Sequence, residues 1–207
     1  FRHQRVVDML TATDAHDAET IGEIQGDNYS IIAERTLPEI LDTAHTLTLS
    51  EEAAPLVDRL ESWDYTCPTG MDGVNADAAK STDDAATSAS IACTVFHTLL
   101  FELAERSFGD ELAPAGVPVN RGGMRPLRDI VFLLNDPSKF AAGDAYWDDV
   151  STSNVIETRS DIIEAALEDL PVAPVDRVHQ EALLRRAVLA HVLQGLRRQA
   201  VGLEEDA

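Results

Sequence analysis

Between Asp83 and Leu103 the chain carries its strongest pattern. Ala85, Ala89, Ala92, Cys93, Phe96, Leu99, Leu100 and Leu103 recur at i, i+3, i+4 and i+7. That is the period of one face of an α-helix, and a strand would instead alternate every second residue. The alanines at its start allow close approach of another helix, and the larger side chains follow. Asp83 or Asp84 is placed to cap it. Nothing elsewhere sustains strand alternation, and there is no internal repeat, so the chain must fold mainly by packing helices on one another. His97 sits beside the stripe and reads as a structural histidine rather than a catalytic one.

Other segments fit the same architecture. Arg2 to Leu10 predicts a short helix with Val6, Val7 and Leu10 on one side. Ile21 to Leu41 predicts one polar-studded helix, with Asp17 as its N-cap, Ile21, Ile24, Ile31 and Ile32 on its apolar face, and Asn28 in the slot between them. Pro38 should kink or restart that helix, since it cannot donate to Glu34. Ser50 caps a third, with Leu56, Val57 and Leu60 as its face, ending near Trp63-Asp64. Pro126 opens a helix bearing Leu127, Ile130, Val131 and Leu134. Asn154 and Glu157 have capping-box spacing ahead of Ile162, Ile163, Ala166, Leu167 and Leu170, and Pro171 and Pro174 stop that helix. A last helix, about Gln180 to Val201, carries Leu189, Val192, Leu193, Leu196 and Ala200. Tyr65–Asp84, Gly109–Arg125 and the NDPSKFAAGDAYWDD segment read as loops, rich in turn formers and acids.

The 207 residues carry 37 acidic and 16 basic side chains other than histidine, a net charge of −21. Such a charge argues against nucleic acid, where cations must neutralise phosphates, and against an anionic membrane surface. Lys80 and Lys139 are the lysines; the other fixed cations are arginines. The acids are spread along the chain rather than blocked, which favours a salt-adapted surface over an acidic docking face. No run approaches the roughly 18 apolar residues of a membrane helix, and the opening FRHQRVVDML is no signal peptide. That opening suggests an internal piece of a longer precursor. The six histidines are scattered singly, without zinc-site spacing. The acids at Asp72, Asp77, Asp83 and Asp84 do not match a calcium loop. Cys67 and Cys93 read as two free structural thiols, although spacing alone leaves a disulfide open.

No G-x-S-x-G elbow, H-E-x-x-H or coherent Ser/His/Asp signature appears. What function the residues carry comes through a resemblance. Ile24, Gln25, Asp27, Ser30, Ala33, Leu37 and Pro38 spell I-Q-x-D-x-x-S-x-x-A-x-x-x-L-P. Arg2, Arg5, Val6, Met9 and Leu10 spell R-x-x-R-[IV]-x-x-[LM]-L upstream. Leu60, Trp63 and Asp64 supply L-x-x-W-D; Phe96 and Leu100 supply F-x-x-x-L. LLNDP at Leu133–Pro137 and YWDDVSTSNVIET at Tyr146–Thr158 then look like L-L-x-D-P and W-W-D-D-x-x-T-x-x-x-E-T segments. This order of landmarks resembles the penicillin-acylase family of N-terminal-nucleophile hydrolases.

The resemblance implies an internal, mainly helical segment of the β-chain, with long acidic loops, excised from a larger four-layer αββα enzyme. It implies one unit over 1–207, of which 1–16 is an arm that leans on a catalytic core outside these residues and 17–207 the helical body. In such enzymes a precursor cleaves itself to free the amino group of a β-chain serine, which attacks an acyl-amide bond and forms an acyl-enzyme. The nucleophile and the oxyanion asparagine would precede Phe1. Arg2 falls on the family's active-site arginine, which orients the site and the substrate. The implied partners are a small acyl-amide substrate and the remaining β-chain and α-chain, without nucleic acid or membrane, and the implied location is extracytoplasmic. No cofactor-binding or metal-ligating residue is expected here. The competing reading is a non-catalytic acidic helical scaffold or interaction domain.

Overall fold

A computed structural model describes residues 1–72, 79, 81–117, 119 and 124–170. Among them are seven α-helices and no strand: α1 Arg2–Thr11, α2 Ala18–Gly26, α3 Ile31–Ala44, α4 Ala54–Glu61, α5 Asp84–Leu112, α6 Met124–Asn135 and α7 Arg159–Glu168. The chain is mainly α, as the periodicities require. The expected helix over 180–201 lies outside the described residues.

Helix α5 is the axis of the core. Asp83 caps it by accepting from the amides of Ala85 and Ala86. Phe96, Leu99, Leu100 and Leu103 are fully buried, packed with α4, α6 and α7. In length and hydropathy α5 could cross a membrane, with a mean hydropathy of 1.3 over its best window. Phe96, Leu99, Leu100 and Leu103 are instead enclosed by neighbouring helices, the pattern of a core helix, while Phe101 faces outward. The stripe also runs further than the sequence suggests. Gly109 to Leu112 stays helical, because Phe108 joins an aromatic cluster with Phe140 and Tyr146, ring centroids 6.3 and 5.5 Å away.

Leu60, Ile163 and Leu167 share the α5 core, with Leu56 half-buried against it. Leu37 and Ile40 of α3 enter the same core, as do Ile130, Leu133 and Leu134 of α6. Arg159 staples three helices: it donates to the carbonyls of Leu134 (3.2 Å) and Glu39 (2.9 Å) and pairs with the Glu39 carboxylate at 3.1 Å. Helix α7 begins one turn later than the sequence suggests. Thr158 and Asp161 form the capping box, because Glu157 is engaged elsewhere, accepting from the Asp149 amide and the Thr152 hydroxyl. Trp147, in an apparently polar turn, is buried at 1% exposure.

Two further expectations are corrected. The predicted helix over Ile21–Leu41 is two helices, broken at 27–30. There the Ser30 amide donates to Tyr65 O (2.8 Å) and the Cys67 amide to Asn28 O (3.0 Å), and Tyr29 and Thr66 form an isolated antiparallel bridge. The break satisfies these polar groups across the fold rather than along the helix. Asp17 caps α2 as expected, and Ser30 caps α3. Pro38 does not restart α3, which runs through it. It lies on the exposed face, where the Glu34 carbonyl left without a donor meets solvent.

Cys67 and Cys93 are not free thiols. They form a disulfide with a Cα–Cα distance of 5.4 Å, within the range such bridges need. It ties the loop after α4 to the middle of α5.

Candidate functional site

Helix α1 has no acid in its first turn, no side-chain cap and no fully buried residue. Val6 and Met9 are half-buried, while Val7 and Leu10 are 36% and 40% exposed. Its attachment is polar. Arg5 places Nε 3.0 Å from Asp27 Oδ2 and Nη2 2.8 Å from Asp27 Oδ1, a two-pronged pair for which the planar guanidinium is shaped. The same guanidinium lies 4.5 Å from the centre of the Tyr29 ring, a cation–π stack.

Asp27 is the residue at which the chain leaves α2, so this clamp fixes α1 against the α2–α3 break. The hydrogen bond from Arg5 holds the Asp27 carboxyl below its usual range, and Asp27 in turn raises Arg5. Burial, then a hydrogen bond with Glu34, pushes the Tyr29 phenol up.

Arg2 lies three residues ahead of Arg5, in the first turn of α1. It is exposed and makes no hydrogen bond or ion pair with the described residues. The structure thus gives the two arginines of the R-x-x-R segment different positions, one anchored and one unengaged. Sequence reasoning singled out Arg2 and missed Arg5 as the anchor. The signal was there, because Arg5 and Asp27 are both landmarks of the motifs quoted above. Nothing in spacing alone links residues 22 apart.

No serine or threonine hydroxyl among the described residues lies within hydrogen-bond distance of a histidine ring. His97 sits 3.6 Å from Cys93 Sγ, but that sulfur is closed in the disulfide. His97 donates through Nδ1 to the Cys93 carbonyl at 2.9 Å, the satisfied arrangement expected of it.

A second polar region lies at the end of α5. Arg106, Asp110, Pro114, Asp149 and Val150 line an open depression of about 730 Å³. Asp110 accepts from the Val150 amide at 2.7 Å, strapping the following loop to the helix. Glu111 beside it is pushed up to about 7, chiefly by burial, then by its hydrogen bond with Asp110 and the nearby charge of Asp149. The negative end of the α5 dipole works in the same direction.

A carboxyl whose folded pKa is raised binds its proton more tightly in the native state. Its stabilising contribution is full below about 4.5 and is lost as pH rises to about 7. Glu111→Gln, which stays neutral, should therefore remove a decline in melting temperature across that window. Scanning calorimetry of both proteins from pH 4.5 to 7.5 checks this, and parallel pH profiles would contradict it.

The mainly helical fold is the one the family resemblance implies. The penicillin amidase family profile matches residues 1–191, and the chain belongs to that family. No curated protein and no solved structure matches the chain.

Proposed function

We propose that this chain is the helical β-chain segment of a penicillin-acylase-like amidohydrolase and that Arg2 is its contribution to the active site. The observation carrying this reading is the arm itself. Arg5 spends its hydrogen-bonding capacity on Asp27, so Arg2 remains available on a helix whose outer face is uncovered. In the assembled enzyme Arg2 faces the catalytic core and orients the acyl-amide substrate and the residues around it. The nucleophilic serine and the oxyanion donors belong to chain outside these residues, and a penicillin, acyl-homoserine lactone or lipopeptide amide is the substrate class. The 207-residue segment alone is inactive on this reading.

Arg2→Ala in the full-length enzyme is expected to lower kcat/KM for amide hydrolysis by about 100-fold, the scale set by losing a positioning group. Arg2→Lys should recover part of the loss, since it keeps the charge without the fork. The melting temperature should be unchanged for both. Wild-type kcat/KM in Arg2→Ala would assign the arm to scaffolding, the competing non-catalytic reading.

The Cys67–Cys93 disulfide supports an oxidising, extracytoplasmic location. The −21 charge supports a saline setting. Ion pairs such as Lys139–Asp136 and Arg128–Asp129 are exposed, so most carboxylates repel through solvent that salt can screen. The melting temperature should therefore climb from low to molar KCl, and a flat or falling curve would refute salt adaptation.

A further inference from the structure

Of Asn28, Asn75, Asn120, Asn135 and Asn154, only Asn28 is followed two residues later by a serine or threonine. Asn28-Tyr29-Ser30 is thus an N-x-[ST] triplet with no proline in the middle, the acceptor pattern for asparagine-linked glycans. A three-residue match says little by itself, and the surroundings of the triplet carry the weight.

The triplet lies in the break between α2 and α3, outside any helix. Two of its residues have structural work. Tyr29 stacks against the Arg5 guanidinium at 4.5 Å and pairs with Thr66. Ser30 caps α3, its hydroxyl oxygen accepting from the Ala33 amide at 3.3 Å. Asn28 differs from both. Its carbonyl accepts from the Cys67 amide at 3.0 Å, which anchors the backbone. Its side chain is exposed and makes no hydrogen bond to the described residues. Backbone anchoring therefore fixes where the residue sits, and packing makes no use of the side-chain amide. We propose that Asn28 carries an oligosaccharide attached through Nδ2.

The compartment fits as well. The Cys67–Cys93 disulfide belongs to an oxidising environment, and the acceptor triplet is likewise a feature of surface loops in exported proteins. The inference rests on the extracytoplasmic location proposed above and not on the amidase reading. The donor is an oligosaccharide carried on a lipid phosphate, and a membrane-bound oligosaccharyl transferase catalyses the step. Nδ2 attacks the anomeric carbon and the new C–N bond forms as the carbon–oxygen bond to the phosphate breaks. The phosphate leaves with the electron pair, and the amide gives one proton to a base on the transferase. In the folded chain Tyr29 and Ser30 are tied down, so transfer precedes closure of the break onto Tyr65 and Cys67. Exposure of Asn28 then leaves the sugars in water, beside the Asp27 clamp.

The test uses the full-length protein recovered from its own cells and digested without reductant. Peptide mass spectrometry is expected to show the Asn28 peptide heavier by whole sugar residues as its predominant form. Asn28→Gln made in the same cells should lose that mass entirely, with unchanged circular dichroism, since the backbone bond to Cys67 is kept. Ser30→Thr, which keeps the hydroxyl, should retain it. An unmodified Asn28 peptide in protein whose cysteines are bridged would overturn the proposal and leave the location standing. An unmodified peptide in protein with free thiols would overturn both. Sugar mass that persists in Asn28→Gln would place the glycan elsewhere and overturn it too. None of these readouts depends on amide hydrolysis, so failure of the amidase reading is seen separately.

Discussion

Leu99→Ala is expected to lower the unfolding free energy by about 2–5 kcal/mol, the range for emptying a fully enclosed leucine site. Leu99 has no exposed surface and sits in the middle of α5, between Phe96 and Leu103 of the same stripe. Helices α4, α6 and α7 close around α5, so the surroundings can collapse only partly into the void. Val6→Ala should cost well under half as much, because α1 buries none of its residues fully. Its Arg5–Asp27 pair, with side chains 32% and 15% exposed, is worth on the order of 1 kcal/mol after solvent screening. Denaturant unfolding of the two variants measures the contrast. Equal losses would mean that the arm is as much core as α5.

Replacing both cysteines with alanine is expected to cost about 3–4 kcal/mol. The estimate follows from the chain entropy that a cross-link between residues 26 apart removes from the unfolded state. Much of this should appear as a lower denaturation midpoint, since the backbone bonds at Asn28 and Tyr65 hold the loop in the native state. Non-reducing mass spectrometry would establish the bridge, and unfolding curves with and without reductant its worth. A loss below about 1 kcal/mol would show that native contacts, not the cross-link, position Cys67.

The parts of this structure legible in the sequence are those governed by local period and local caps. The α5 stripe, the Asp17 and Asp83 caps and the apolar face of α7 all depend on residues within a few turns of each other. The misreadings arise where a distant partner decides. The isoleucines on either side of Asp27–Ser30 keep helical phase, yet the backbone there bonds to Tyr65 and Cys67. Asn154–Glu157 and Thr158–Asp161 have the same capping spacing, and Glu157's engagement with Asp149 and Thr152 selects the second. Proximity of Cys67 to Cys93 is likewise a product of α4 packing on α5. At the site, motif order marked Arg2 and Arg5 alike; the Asp27 carboxylate separates them.

On the role proposed for Arg2, the clamp at Arg5 makes resistance to heat and competence for turnover separately adjustable. Cavity-filling or surface substitutions in the α3–α7 body would harden the fold without stiffening α1, which meets that body mainly through one ion pair and a tyrosine face. An engineer seeking a more durable protein can work on the helical body without touching that arm. One testing the role proposed for Arg2 should begin at the Arg5–Asp27 joint, which fixes the helix that carries it.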